Sequence, residues 1–323
     1  MEVKVMYFPY VRGRQYELLA LRELVDKNLL TDFVIPIVEP VKLSPTLVNM
    51  LDSYIRKEHH ISIIRNPLVG SFNSDLGVAD EHPKSAEYKK RFAEQYDNPW
   101  IIKSLIMQKN TKSLLNYWGK NNINKSELLV VNTDRDYLDL YEEEFKEDTP
   151  SYVLMPDESA YRRKVRKNRV LFADKFEKKD RNADYQNSVT DFFSDDHLYY
   201  LDDHFIGFSD YSVVGNEYLE SGFAPYAVAI HIVYFDDDKN LRVRHFVSDS
   251  NEDITNPAKK FYEAVSKLAK WYDDINKNPD MLTTGLKTFL EHYENKSYPG
   301  LGTVKKLSLM HHIELMGKYL SKV

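Results

Sequence analysis

The chain has 323 residues, 42% of them apolar and 29% charged, with a formal net charge of −6. That length suits a large α/β domain with an appendage, and the acidic balance argues against gripping duplex nucleic acid over the whole surface, which needs a basic field. There is no cysteine, which excludes disulfides, thiolate nucleophiles and cysteine-ligated zinc.

In chain order, short apolar runs alternate with polar stretches. The runs are "VKVMYFPY" (3–10), "FVIPIVEP" (33–40), "ISIIRNP" (61–67), "WIIKSLIM" (100–107), "ELLVVNTD" (127–134), "SYVLMPD" (151–157), "RVLFAD" (169–174) and "FIGFSDY" (205–211). Their length and their β-branched and aromatic content favour strands. Helical patterns lie between them. "QYELLALRELVDKN" carries Leu18, Leu21, Leu24 and Val25 on one face, and "SPTLVNMLDSYIRK" opens with Ser44 as N-cap and Pro45 at the first helical position. "TKSLLNYWGKN" and "RDYLDLYEEEF" follow the fourth and fifth runs.

Eight strands alternating with helices imply parallel pairing with right-handed crossovers, and eight is the number that closes a (β/α)8 barrel. An open doubly wound sheet is the rival architecture. Parity favours the barrel. Ile35, Ile37 and Glu39 fall on one face, as do Val130, Asn132 and Asp134, then Val170, Phe172 and Asp174, then Ile206, Phe208 and Asp210. Each set reads as an inward apolar row ending in a polar residue at the mouth. Two long stretches, 70–99 and 175–204, interrupt the rhythm and read as functional lids or disordered segments.

After the eighth run the pattern changes. "PYAVAIHIVYFDDDKNLRVRHFVSD" reads as a β-hairpin around "DDDKN", and three helical segments follow. The expected division is a barrel domain over 1–224 and a hairpin-plus-helix extension over 225–323.

At the expected mouth the sequence collects Arg12 and Arg14, Glu39 with Lys42, Arg65 with Asn66, Asn132 with Asp134, Asp157, Asp174, and Asp210 with Tyr211. Asp134, Asp174 and Asp210 are the candidates for acid–base work or for oxygen ligation of a divalent cation. Arg12, Arg14, Glu39, Lys42, Asn66, Asn132, Asp157 and Tyr211 are the candidates for holding substrate, the arginines because a guanidinium recognises phosphate or carboxylate through paired donors. The same residues could serve structure alone, with Asp134 an N-cap and the arginines salt-bridge partners.

No dinucleotide or phosphate-loop fingerprint is present. The histidine pairs His59–His60 and His311–His312 lack the i, i+4 spacing of helical chelation; His311 and Glu314 share a face, as packed residues or as a proton shuttle. The basic cluster "YRRKVRKNR" (161–169) reads as a solvated face, so nucleic acid is not an expected partner. No apolar run reaches membrane-spanning length and no secretory signal opens the chain, so a cytoplasmic protein without membrane contact is expected.

The words "MYFPYVRGRQYELLALRE", "IPIVEPVK", "RNP", "GFSDY" and "PGLGTVKKLSLMHHIEL" together resemble the bacterial and bacteriophage beta-protein family, from Met6 to about Leu315. The resemblance implies a barrel-like α/β fold and an occurrence near mobile elements and phage-defence genes. It supplies no catalytic mechanism. Two functions follow as expectations. One is a hydrolase or lyase acting on an anionic, nucleotide-like or sugar-like ligand. The other is a non-catalytic sensor or subunit that binds the product of a neighbouring gene.

Overall fold

A computed structural model describes residues 6–77, 83–218, 225–275 and 277–322. Positions 3–5 of the first expected strand and 78–82 of the first insertion lie outside the described residues. The chain divides into two compact units: Met1–Ala173 with Asp196–Asp210, and Asp174–Asp195 with Tyr211–Val323.

The first unit alternates strand and helix. β1 (Tyr10–Val11) leads to α1 (Gln15–Asp26), β2 (Ile37–Val38) to α2 (Pro45–Arg56), and β3 (Ile61–Ile64) to α3 (Phe72–Gly77) and α4 (Pro83–Tyr96). β4 (Ile101–Ile106), α5 (Thr111–Lys120), β5 (Leu129–Val131), α6 (Leu138–Phe145), β6 (Tyr152–Met155), α7 (Ser159–Lys164) and β7 (Arg169–Phe172) continue the series. β8 (Thr190–Ser194) belongs to the second unit; α8 (Asp196–Tyr199) and β9 (Gly207–Ser209) complete the first. The sheet order is β1-β2-β3-β4-β5-β6-β7-β9, parallel throughout. The last strand then returns to the first: Phe8 N–H donates to Phe208 O (2.9 Å), Phe208 N–H to Met6 O (3.1 Å) and Tyr10 N–H to Asp210 O (2.9 Å). The sheet is therefore a (β/α)8-like barrel, not an open sheet.

Ring contacts identify the interior. Phe8 meets Tyr152 (4.9 Å between centroids) and Tyr10 stacks on Phe172 (5.2 Å). Neither β6 nor β7 neighbours β1 in the sheet, so both contacts cross the barrel. Side chains alternate along a strand, and paired positions of parallel strands share a face. Register then assigns inward positions to Tyr10, Ile37, Ser62 and Ile102, to Ile64, Ser104, Leu129 and Tyr152, to Ile106, Val131, Leu154, Val170 and Gly207, and to Phe172 and Ser209.

The expected parity holds for β2 and β7. It is reversed for β5 and β9, where Val130 and Phe208 face outward. In β5 all three residues are buried, so burial on both faces erases the alternation. In β9 the deciding residue is Gly207. A Cβ there would stand 2.7 Å from Met6 O and 2.8 Å from the Phe8 ring, so the inward place next to Phe8 admits only glycine. Phe208 turns outward onto Tyr7 (5.1 Å) and Tyr200 (5.5 Å).

The helices begin as their sequences dictate. Ser44 Oγ accepts Leu47 N–H (3.2 Å), with Pro45 opening α2. The first insertion is not a loop, because it contains α3 and α4. α4 rests on α2, with Gln95 Nε2 donating to Val48 O (2.8 Å) and Arg91 paired to Asp52. Its apolar stripe is short, Phe92 and Tyr96 stacked at 5.4 Å, and charged neighbours mask it in the sequence.

The second unit carries the expected hairpin. β10 (Ala229–Phe235) and β11 (Leu241–Val247) pair antiparallel, and β8 adds to β11. α9 (Pro257–Asp274), α10 (Thr284–Glu294) and α11 (Leu301–Leu320) follow. His311 on α11 is fully buried: its Nε2–H donates to Val233 O (2.7 Å), so its Nδ1 accepts from Thr283 Oγ1 (2.7 Å). His312 bonds Ser212 Oγ through Nδ1 (2.8 Å), and Glu314 Oε2 accepts Thr284 N–H (2.8 Å). Gly285 lets α10 and α11 approach, since a Cβ there would stand 2.4 Å from Leu307 O. The "HHIEL" segment thus ties helices, hairpin and the 212 turn together within this unit. Among the described residues no helix is long and apolar enough to cross a membrane.

Burial pushes the His311 imidazole down to about 4, and burial also lowers His231 and His245. The folded state keeps these rings neutral while the unfolded chain takes up protons near pH 6.5. Stability contributed above that pH is therefore lost as the pH falls toward 4, by on the order of 3 kcal/mol for His311 alone. Urea unfolding from pH 7 to 4 should show a flatter pH dependence in His311→Gln than in the parent chain.

Candidate functional site

A buried polar cluster at the barrel mouth is built from the ends of β1, β2 and β3. Beyond β1 the chain continues the inward row of Phe8 and Tyr10 to Arg12. Gly13 then turns at φ +63°, pressed against the end of β2, where a Cβ would meet Glu39 O, Pro40 Cα and Val38 Cγ1 all at 3.1 Å. The turn lets α1 start at once, with Arg14 N–H donating to Glu17 Oε2 (3.3 Å).

Glu39 continues the inward row of β2 and is 1% exposed. Its Oε2 accepts Tyr10 Oη–H (2.7 Å) and Arg12 Nη1–H (2.8 Å), and its Oε1 accepts the Leu68 N–H (2.8 Å). A carboxylate this deep in protein needs a paired charge and further donors to offset its lost hydration. Here it has one of each kind: guanidinium, phenol and amide. The Arg12 side chain, 13% exposed, is fixed above it at the rim.

The third segment is set by Asn66. Its side-chain amide takes both backbone groups of Ile106, accepting from N–H at 2.9 Å and donating to O at 2.8 Å. Gln108 Nε2 donates to Asn66 O (2.7 Å). Asn66 thereby prolongs the β3–β4 pairing past the strand end and delivers the Leu68 amide to Glu39. This is the structural meaning of the "RNP" word.

None of the remaining expected site residues hydrogen-bonds Glu39. Asp134 is exposed, and its Oδ1 accepts Asp136 N–H (3.0 Å) at the head of a single 3-10 turn, Arg135–Tyr137. Asp157 pairs with Arg162 (2.7 Å). Lys42 is exposed and Arg14 half-buried. Asp210 is buried, but on the outer row of β9, where Tyr7 Oη donates to its Oδ1 (2.9 Å). Burial and this carboxylate hold the Tyr7 phenol well above its ordinary range. Asn132 also lies on the outer row; it is fully buried, and among the described residues neither its Oδ1 nor its Nδ2 has a hydrogen-bond partner. Asp174 and Tyr211 belong to the second unit, where Asp174 accepts from Phe176 N–H (3.1 Å) and Asn216 N–H (2.8 Å).

Glu39 and Asp210 therefore lie on opposite faces of the barrel wall. The one-residue reversal of β9 turns Asp210 away, and Asp134 is spent on its turn. The sequence pattern does not single out Tyr10 or the Leu68 amide, which the structure adds. Tyr10 could be found by extending the inward parity of β1, Phe8–Tyr10–Arg12. Among the described residues no three His, Asp or Glu side chains are grouped to hold a metal ion. Comparison with protein-family models, curated proteins and solved structures gives no match.

Removing the charge of Glu39 should deprive the Arg12 guanidinium of its ion pair with this buried carboxylate. Glu39→Gln is expected to cost about 3–5 kcal/mol in chemical denaturation, whereas Asp134→Ala should cost only the ~0.5–2 kcal/mol of a lost cap. Equal effects from the two variants would remove Glu39 from its central place.

Proposed function

We propose that the barrel mouth is a binding site for a small anion, with Arg12 as the recognising group. The observation that carries this is the fixed guanidinium: Arg12 is held at the rim by buried Glu39, which Tyr10 and the Leu68 amide hold in turn. A guanidinium fixed in one orientation suits planar recognition of phosphate or carboxylate. Arg14, one residue beyond the Gly13 turn, adds positive charge at the same strand end. In barrels of this architecture ligands bind at the C-terminal face of the strands.

The reading is of a binding or sensing module in the phage-defence setting that the beta-protein resemblance implies, with the product of a neighbouring gene as its protein partner. Turnover as a hydrolase or lyase has less support. Acid–base chemistry needs two groups in different environments, and the carboxylate beside Arg12, Glu39, already accepts three hydrogen bonds.

Calorimetric titration with inorganic phosphate, sugar phosphates and nucleoside mono- and diphosphates tests the reading. At least one should bind, and Arg12→Lys, which keeps the charge but loses the fork, should weaken it by about tenfold or more without lowering the melting temperature by more than a few degrees. An unchanged affinity in Arg12→Lys, or no binding by any of these anions, would overturn it.

A further inference from the structure

The three-stranded sheet of the second unit runs β10-β11-β8, so β10 and β8 are its edges. The β10 edge is met by α11, where His311 donates to Val233 O. β8 differs. His245 N–H donates to Val189 O (2.9 Å), so alternation turns the main-chain groups of Val189 and Asp191 toward β11 and those of Thr190 and Phe192 away from it. Among the described residues no backbone group outside the ladder bonds the main chain of Thr190 or Phe192. Natural edge strands are often blunted by lysine or proline. The segment "SVTDFFSD" (188–195) carries neither, and Phe192 stands 52% exposed.

Two arginines lean over this strand. Arg244 and Arg242 of β11 stand opposite Thr190 and Phe192 and share their face. Arg244 Nη1 donates to Thr190 Oγ1 (3.5 Å), and the Arg242 guanidinium lies 5.9 Å from the Phe192 ring centroid. The Arg244 guanidinium also rests against Phe246 (5.8 Å) and Trp271 (5.6 Å), and its Nε has no hydrogen-bond partner among the described residues. Neither arginine is in an ion pair among the described residues. The acids of the β8 segment stand elsewhere: Asp191 is on the opposite face, bonded to His245 and Ser188, and Asp195 follows the register shift beyond Phe192. Two guanidinium forks without carboxylate partners therefore sit at alternate positions beside an open strand edge.

We infer that β8 captures an extended acidic segment of a partner protein by strand addition. The main chain of the partner bonds Thr190 and Phe192, and its carboxylates, two residues apart on one face, meet Arg244 and Arg242. A second copy of this chain suits the edge poorly, because antiparallel pairing of β8 with itself sets the arginines beside their own copies. Two arginines are also few for a nucleic-acid strand, whose grip comes from many phosphate contacts. The edge lies wholly in the second unit, and the proposal stands whether or not the barrel mouth binds an anion.

The probe is a capped peptide, acetyl-Glu-Val-Glu-Val-Glu-Val-Glu-amide, with an analogue carrying glutamine for every glutamate. Two further analogues are N-methylated, one at the glutamate amides and one at the valine amides. Calorimetry at low salt should give a Kd below about 1 mM for the acidic peptide, at least about tenfold tighter than for its glutamine analogue. Methylating one set of alternate amides should abolish binding and methylating the other should leave it, since only alternate groups of an added strand face the sheet. Arg242→Gln should weaken binding by about tenfold, whereas Arg56→Gln, at an exposed arginine paired to Asp26, should not. Equal binding of the acidic and glutamine peptides, retained binding of both methylated analogues, no effect of Arg242→Gln, or no binding below about 1 mM would each overturn the proposal. So would tighter binding of oligothymidylate than of the peptide, or a dimer of the chain that the peptide does not compete with for β8.

Discussion

The closing seam between the first and last strands fixes everything else in the first unit. Hydrogen bonds from Phe8 and Tyr10 to Phe208 and Asp210 make a ring of a sheet. Their register decides which side chains meet inside. At this seam Gly207 yields its place to the Phe8 ring, so Phe8 can reach across to Tyr152 and Tyr10 to Phe172. A shift of one residue would exchange every inward and outward side chain of β9. It would bring Asp210 in and drive Phe208 away from Tyr7.

The mouth inherits its geometry from that aromatic floor. Tyr10 is braced by Phe172, so its hydroxyl stands still beneath Glu39. Glu39 is then held from below by a phenol, from the side by an amide and from above by Arg12. Each group satisfies a donor or acceptor that burial would otherwise leave costly. The result is a rigid cation at the rim of a rigid ring, with its supporting shell drawn from three successive strand ends.

How much of this was legible in the sequence depends on whether anything local marks a strand's two faces. β2 and β5 are buried on both faces and β7 nearly so, so their apolar rows alone do not tell inside from outside: the polar residue at the strand end leads to Glu39 and Phe172 in β2 and β7 and to the outer row in β5. β9 is set by a steric contact with Phe8, which nothing local in that strand reveals. α4 was hidden because its apolar stripe is two aromatics among charges. The pairing of Asn66 with Ile106 joins residues 40 apart in sequence, and no local pattern announces such a contact. The histidine pair was legible as packed residues, with His311 and Glu314 on one face, but their partners Thr283, Val233 and Thr284 come from elsewhere in the second unit.

The central claim is that Arg12 and Glu39 act as one buried unit at the barrel mouth. A double-mutant cycle with Arg12→Met and Glu39→Gln measures it most directly. The account predicts strong non-additivity, with the double variant recovering at least about 1.5 kcal/mol relative to the sum of the singles. Additivity within about 0.5 kcal/mol would contradict it.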